Sequence, residues 1–148
     1  MRLRRFYSIA HVLILSLIIF FIAARFIHSD AYIGPVLIIL AILSVVSFRV
    51  FSSQKHSITP DIIFGIIDNG FLAAFAIFGG EVAGVAGAVI GGVVGNAITD
   101  GIAGIFEGYW AERSTLDTRT ILGSSIGKMA GCLFGAGAVL SLFYAAGF

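Results

Sequence analysis

Long apolar stretches separated by short polar or glycine-containing breaks run through the whole chain, at roughly 9–27, 32–51, 61–79, 82–110 and 120–147. A helix rises about 1.5 Å per residue, so about 20 residues cross roughly 30 Å of hydrocarbon. Each stretch is long enough to do so. Lipid leaves backbone polar groups no water to bond, and a helix satisfies them within one segment. The pattern therefore predicts an all-α, polytopic membrane protein with about five transmembrane helices.

Composition sharpens this reading. The 148 residues are 59% hydrophobic and 11% charged, with a mean hydropathy of +1.06; soluble domains run at roughly 45–50% apolar and 25% charged. Five spans use up nearly all of the chain, so any chemistry must sit between helices or in short loops. The net charge is +1, and the basic residues stand at helix ends, not in a patch with interleaved aromatics. Nucleic-acid binding has no support. No nucleophile–base pair, histidine cluster or phosphate-cradling loop is present, and the chain is not read as an enzyme. The expected environment is the lipid bilayer.

The start, Met1 to Arg5 followed by an apolar run from Ile9, has the outline of a signal peptide. The run is long and aromatic-rich, and it ends in Ala23-Ala24-Arg25-Phe26 without a small-x-small cleavage pattern. It is read as a retained first helix. Arg2, Arg4, Arg5, Arg49, Lys55, Arg113 and Arg119 flank the spans on one side, and only Arg25 on the other. The positive-inside bias puts the N-terminus and the 52–60 and 111–119 loops in the cytoplasm and the C-terminus outside.

The two halves differ in kind. Residues 1–56 hold two spans of Leu, Ile, Val and Phe with almost no internal polar group, as a lipid-facing scaffold requires. Residues 57–148 hold three spans with most of the glycine and all the deep ionisable groups. Phe51 to Pro60 is a polar, proline-closed hinge between them. In the fifth span Gly123, Gly127, Gly131 and Gly135 recur every four residues, as do Ala83, Gly87, Gly91, Gly95, Thr99 and Ala103 in the fourth. Small residues at this spacing let backbones approach closely in a medium that offers helices little hydrophobic drive to associate. The expectation is a glycine zipper, with spans four and five packed on each other or across the axis of a homodimer.

Asp61, Asp68, Asp100, Glu107 and Lys128 fall inside predicted spans, where a charge costs roughly 2.5–3.5 kcal/mol at the bilayer centre. Counting the helical rise from the cytoplasmic ends puts Asp68, Asp100 and Lys128 at one level, with Asp61 and Glu107 in a shallower layer. Asp61 and Asp68 are seven residues apart, as are Asp100 and Glu107, and Asn96 is four before Asp100. Each set shares a helix face. Carboxylates with an amide oxygen suit a hard or borderline divalent cation, or protons, so Asp68, Asp100, Asp61, Glu107 and Asn96 are the candidate metal ligands. Asn69, Thr99, Ser124 and Ser125 offer further oxygens.

Structural readings stand beside these. Lys128 is placed to form a buried pair with Asp68 or Asp100 that serves only helix register. Asp61, after Pro60, is also positioned to cap its helix, and Glu107 to be a solvated end. Cys132, the single cysteine, reads as core packing. His11, His28 and His56 have no common site, and Tyr109 and Trp110 form an interfacial aromatic anchor.

Asp61-Ile-Ile-Phe-Gly-Ile-Ile-Asp68-Asn-Gly70, followed by Phe75-Ala-Ile-Phe-Gly-Gly80, resembles the first-helix signature of the vacuolar iron transporter family. The stretch from Val89 to Ser114, with its small-residue run, Gly108-Tyr109 pair and closing Ala111-x-x-Ser114, is similar to that family's second helix. The resemblance covers about 61–114. It implies a dimer-interface path for ferrous iron or manganese exchanged for protons, with Asp61 and Asp68 as transport residues and no resident cofactor. The family's second-helix Glu and Met fall on Asn96 and Gly104, so the ligand set differs. The family's long acidic cytoplasmic helices are replaced by the short 111–119 loop. Two functions remain in view: a small homodimeric transporter of Fe²⁺ or Mn²⁺, and a non-transporting assembly subunit that packs through its glycines.

Overall fold

A computed structural model describes residues 2–52, 57–113 and 120–147, and their side chains except those of residues 2, 4 and 106–113. The chain is all-helical: α1 (Arg2–Phe26), α2 (Asp30–Phe51), α3 (Thr59–Arg113) and α4 (Ile121–Ala145). All four contain stretches long and apolar enough to cross a membrane. The loops carrying Lys55 and Arg119, on which the charge count relied, lie outside the described residues, as does the side chain of Arg113.

Local chemistry sets the helix ends. The Ser29 amide donates to the Phe26 carbonyl at 2.8 Å and turns the chain from α1 into α2, with Asp30 in the first turn, where the helix dipole favours a carboxylate. Pro60 falls in the first turn of α3, where no backbone donor is needed. Thr120 caps α4, its hydroxyl accepting from the Gly123 amide at 3.1 Å.

The 55 residues of α3 are not one straight rod. Ala83 (φ −141°, ψ 25°) and Gly84 (φ 59°, ψ −142°) leave helical geometry, and Gly84 adopts a left-handed φ that a Cβ would strain. Beyond this kink the chain turns back on itself. The arm before it, from Thr59, and the arm after it, to Arg113, lie antiparallel: Gly79 meets Gly87, Phe75 meets Gly91, and Leu72 and Phe75 meet Gly95. A Cβ added at Gly79, Gly87 or Gly91 would overlap a carbonyl of the opposite arm.

The glycine stripe of α4 packs the same way, but onto the first arm of α3. A Cβ on Gly127 would lie 2.7 Å from the Asp61 Cβ, one on Gly131 would overlap the Ile62 carbonyl, and one on Gly135 the Ile66 carbonyl. Gly65 answers from the other side, 2.6 Å from the Lys128 carbonyl oxygen on the same measure. The expected partners of the stripes are thereby corrected. Both meet the first arm of α3, which has small residues and open carbonyls on two faces and stands between them.

Further along α4, Gly137 admits α2, its Cβ position 2.7 Å from the Gly34 carbonyl oxygen. Phe48 of α2, Ile58 and Ile126 form the buried apolar cluster at the other end, with Val45, Ile62 and Leu122 packed against it. On one side of α1, Val12 and Leu15 pack against this cluster, while Leu13, Leu17, Phe20 and Phe21 on the other are exposed, as lipid contact allows. His11, unassigned by sequence, ties it to α2 through Ser47, 2.6 Å from Nε2, and packs edge-on against the Phe51 ring.

Candidate functional site

The first arm of α3 carries acids on its inner face at seven-residue spacing, and the glycine contacts bring polar groups of two other segments to them. Asp61 is 5% exposed. Because Gly127 has no side chain, α4 comes close enough for Ser124 Oγ to donate to Asp61 Oδ1 at 3.0 Å. Asp61 thus faces α4, in addition to lying in the first turn of its own helix.

Asp68 is 8% exposed and sits where the first arm, the second arm and α4 meet. Thr99 Oγ1, on the second arm and fully buried, donates to Asp68 Oδ1 at 2.6 Å. Asn69 Nδ2 donates to Asp68 Oδ2 at 3.2 Å and to Cys132 Sγ of α4 at 2.6 Å. The two carboxylates stand about 10 Å apart along the arm, from the helical rise. Lys128, on α4 one turn before Cys132, has its ammonium 4.4 Å from the centre of the Phe64 ring, a cation–π distance.

Thr99 also lies 3.0 Å from the Gly95 carbonyl oxygen and 3.1 Å from that of Asn96. A hydroxyl has one proton to give and lone pairs to accept with. It can donate to an ionised Asp68, or turn to a carbonyl of its own helix and accept from a protonated one.

Asp100 and Asn96 fall on another side. Asp100 is exposed and accepts from Asn96 Nδ2 at 2.8 Å. The inner position that sequence reasoning gave to Asp100 belongs to its neighbour Thr99. Of the candidate ligands, Asp61 and Asp68 share the interior, Asn96 and Asp100 pair on the outer face, and the Glu107 side chain lies outside the described residues. Among the described residues no three His, Cys, Asp or Glu side chains converge. A metal ion held within one chain would rest on Asp68 with neutral oxygen donors such as Thr99 and the amide of Asn69, a set that suits hard or borderline cations.

Cys132 lies at the close contact of α4 with the first arm of α3, and its Sγ also accepts from Asn69, a partner that its sequence context does not announce. Comparison with protein-family models, with curated proteins and with solved structures returns no match to this chain.

Proposed function

We propose that this protein is a multi-pass membrane transporter of a divalent cation, with Asp68 as the central ion-handling group. The observation that carries the reading is the burial of Asp68 at the junction of three segments, beside Thr99 and Asn69. A buried ionisable group in a membrane helix is costly, and such groups mark ion and proton pathways. Asp61, seven residues earlier on the same face, is a second station toward the helix end.

On this reading each arm of α3 crosses the membrane. The spans are then five, with the N-terminus cytoplasmic and the C-terminus outside, and the glycine zippers hold the polar layer between tightly fitted helices. Fe²⁺ or Mn²⁺ is the proposed cargo, from the likeness of 61–114 to the vacuolar iron transporters and from the oxygen-rich donor set. The two hydrogen-bonding choices of Thr99 fit exchange for protons, since Asp68 stays satisfied when it gives up the metal and takes a proton.

One observation favours a second reading, a non-transporting assembly subunit: Asp61 and Asp68 both have hydroxyl partners within the chain, as purely structural acids would. Flux separates the two. Vesicles reconstituted with the purified protein and loaded with a metal-sensitive dye should take up Fe²⁺ or Mn²⁺ faster than protein-free vesicles. Equal rates for both ions would leave the assembly reading in place of the transporter.

A further inference from the structure

Helix α2 and the first arm of α3 both pack on α4, at Gly137 and at Gly131, and between them runs a groove of about 310 Å³ with a wholly apolar lining. Ile42, Val45 and Val46 form its α2 side, Ile62 and Ile66 its α3 side, and Phe134 of α4 lies within it. Ile42, Val46 and Phe134 are exposed, so the groove opens to whatever surrounds the helices.

Both sides end on a polar residue in register with the groove. Ile42, Val45 and Val46 precede Arg49 by seven, four and three residues, and Thr59 precedes Ile62 and Ile66 by three and seven. Each polar residue therefore stands on the helix face that lines the groove, about 5 Å past the last apolar residue of its side. The two lie at the same end, because α3 begins where α2 finishes. Arg49 is in the last turn of α2, and both it and Thr59 are exposed. The groove is thus carbon along its length, with a permanent cation and a hydroxyl at one end.

We propose that this groove holds one acyl chain of an anionic phospholipid, whose phosphate is bound by Arg49 with Thr59 beside it. Occupancy by hydrocarbon follows from the setting: an all-carbon groove offers water no partner, and a second helix, about 10 Å across, is too wide for it. Filling alone selects nothing, since a lipid tail is as apolar as the side chains it touches. Selection falls to the headgroup. A guanidinium bonds both free oxygens of a phosphodiester at once, and the Thr59 hydroxyl offers a further donor. A lipid with net negative charge is then preferred over a zwitterionic one, whose own cation offsets the phosphate. The inference rests on the membrane location and not on cation transport, so either can fail alone.

Native mass spectrometry of the purified full chain, released from detergent with phosphatidylglycerol or phosphatidylcholine, tests it. The wild type should retain one phosphatidylglycerol per chain about fivefold more readily than phosphatidylcholine, the preference that one basic residue near an anionic headgroup supplies. Arg49→Gln should abolish this preference, while Arg25→Gln, exposed in the last turn of α1, should leave it intact. Val46→Trp puts a ring into the groove from an exposed position and should lower retention of both lipids while the helical content stays that of wild type. Glycerol phosphate, which has the headgroup charge and no chain, should not displace the bound lipid. Equal retention of the two lipids by the wild type, a preference that survives in Arg49→Gln or is lost in Arg25→Gln, retention unchanged by Val46→Trp, displacement by glycerol phosphate, or a second protein chain retained in place of the lipid would each overturn the proposal.

Discussion

The hydroxyl of Thr99 lies 2.6 Å from the carboxylate of Asp68, thirty-one residues earlier, and fastens the two arms of α3 to each other at a fully buried point. Removing the donor leaves a buried acceptor short of a partner, which costs about 1–3 kcal/mol. Thr99→Val should therefore lower unfolding stability in detergent by that amount, and Thr99→Ser should restore most of it. A Thr99→Val protein as stable as wild type would show that the bond is not made.

The tight glycines make a steric prediction. Gly91→Leu and Gly131→Leu place a side chain where the Phe75 and Ile62 carbonyls already stand, and overpacking of this kind costs about 1–3 kcal/mol or more. Both variants should lose stability as monomers, measured by denaturant titration under conditions where no dimer is present. Stability losses confined to the dimer would return these stripes to an intermolecular contact.

Gly84 makes a conformational one. Its φ of 59° with ψ −142° is backbone that residues with a Cβ rarely adopt, and nothing lies within 4 Å of a Cβ at that position, so Gly84→Ala meets no clash and carries only the backbone penalty of about 1–3 kcal/mol. A Gly79→Ala variant, whose Cβ would overlap the Gly87 carbonyl, should lose more. Thermal unfolding of the two variants side by side would show the reverse order if the kink were placed elsewhere.

How far this fold could be read from the sequence depends on what each signal constrains. Apolar length reports where a helix can form, so the helical stretches were legible, but the break expected between 61–79 and 82–110 falls elsewhere: residues 80–82 are helical and the chain turns inside the second stretch. That Ala83 and Gly84 bear the non-helical angles is decided by the fit of the arms, which no local propensity reports. The glycine stripes announced close approach but not its partner, because a small residue specifies room and not identity. Asp61 and Asp68 were correctly put on one face. Asn96 and Asp100 also share a face, but it is not the one that meets Asp68, although the clue was present. A helix turns about 100° per residue, so if the stripe Gly87, Gly91, Gly95 and Thr99 faces inward, Thr99 meets Asp68 and Asp100 cannot do so through the same face.

Orientation follows from the five-span reading and from the excess of flank Lys and Arg on one side. A C-terminal reporter should be accessible from outside the cytoplasm, and Glu81→Cys in a Cys132→Ser background should label from that same side. Labelling of either site from the cytoplasm would mean that one arm of α3 does not cross.

The central claim is that Asp68 handles the transported ion, and the most direct measurement is Mn²⁺ uptake by vesicles containing wild type or Asp68→Asn at equal reconstitution. The amide keeps the shape and can still accept from Thr99, so the variant should retain the wild-type helical content while uptake falls to the protein-free rate. A folded Asp68→Asn protein that carries Mn²⁺ as fast as wild type would contradict the assignment of Asp68.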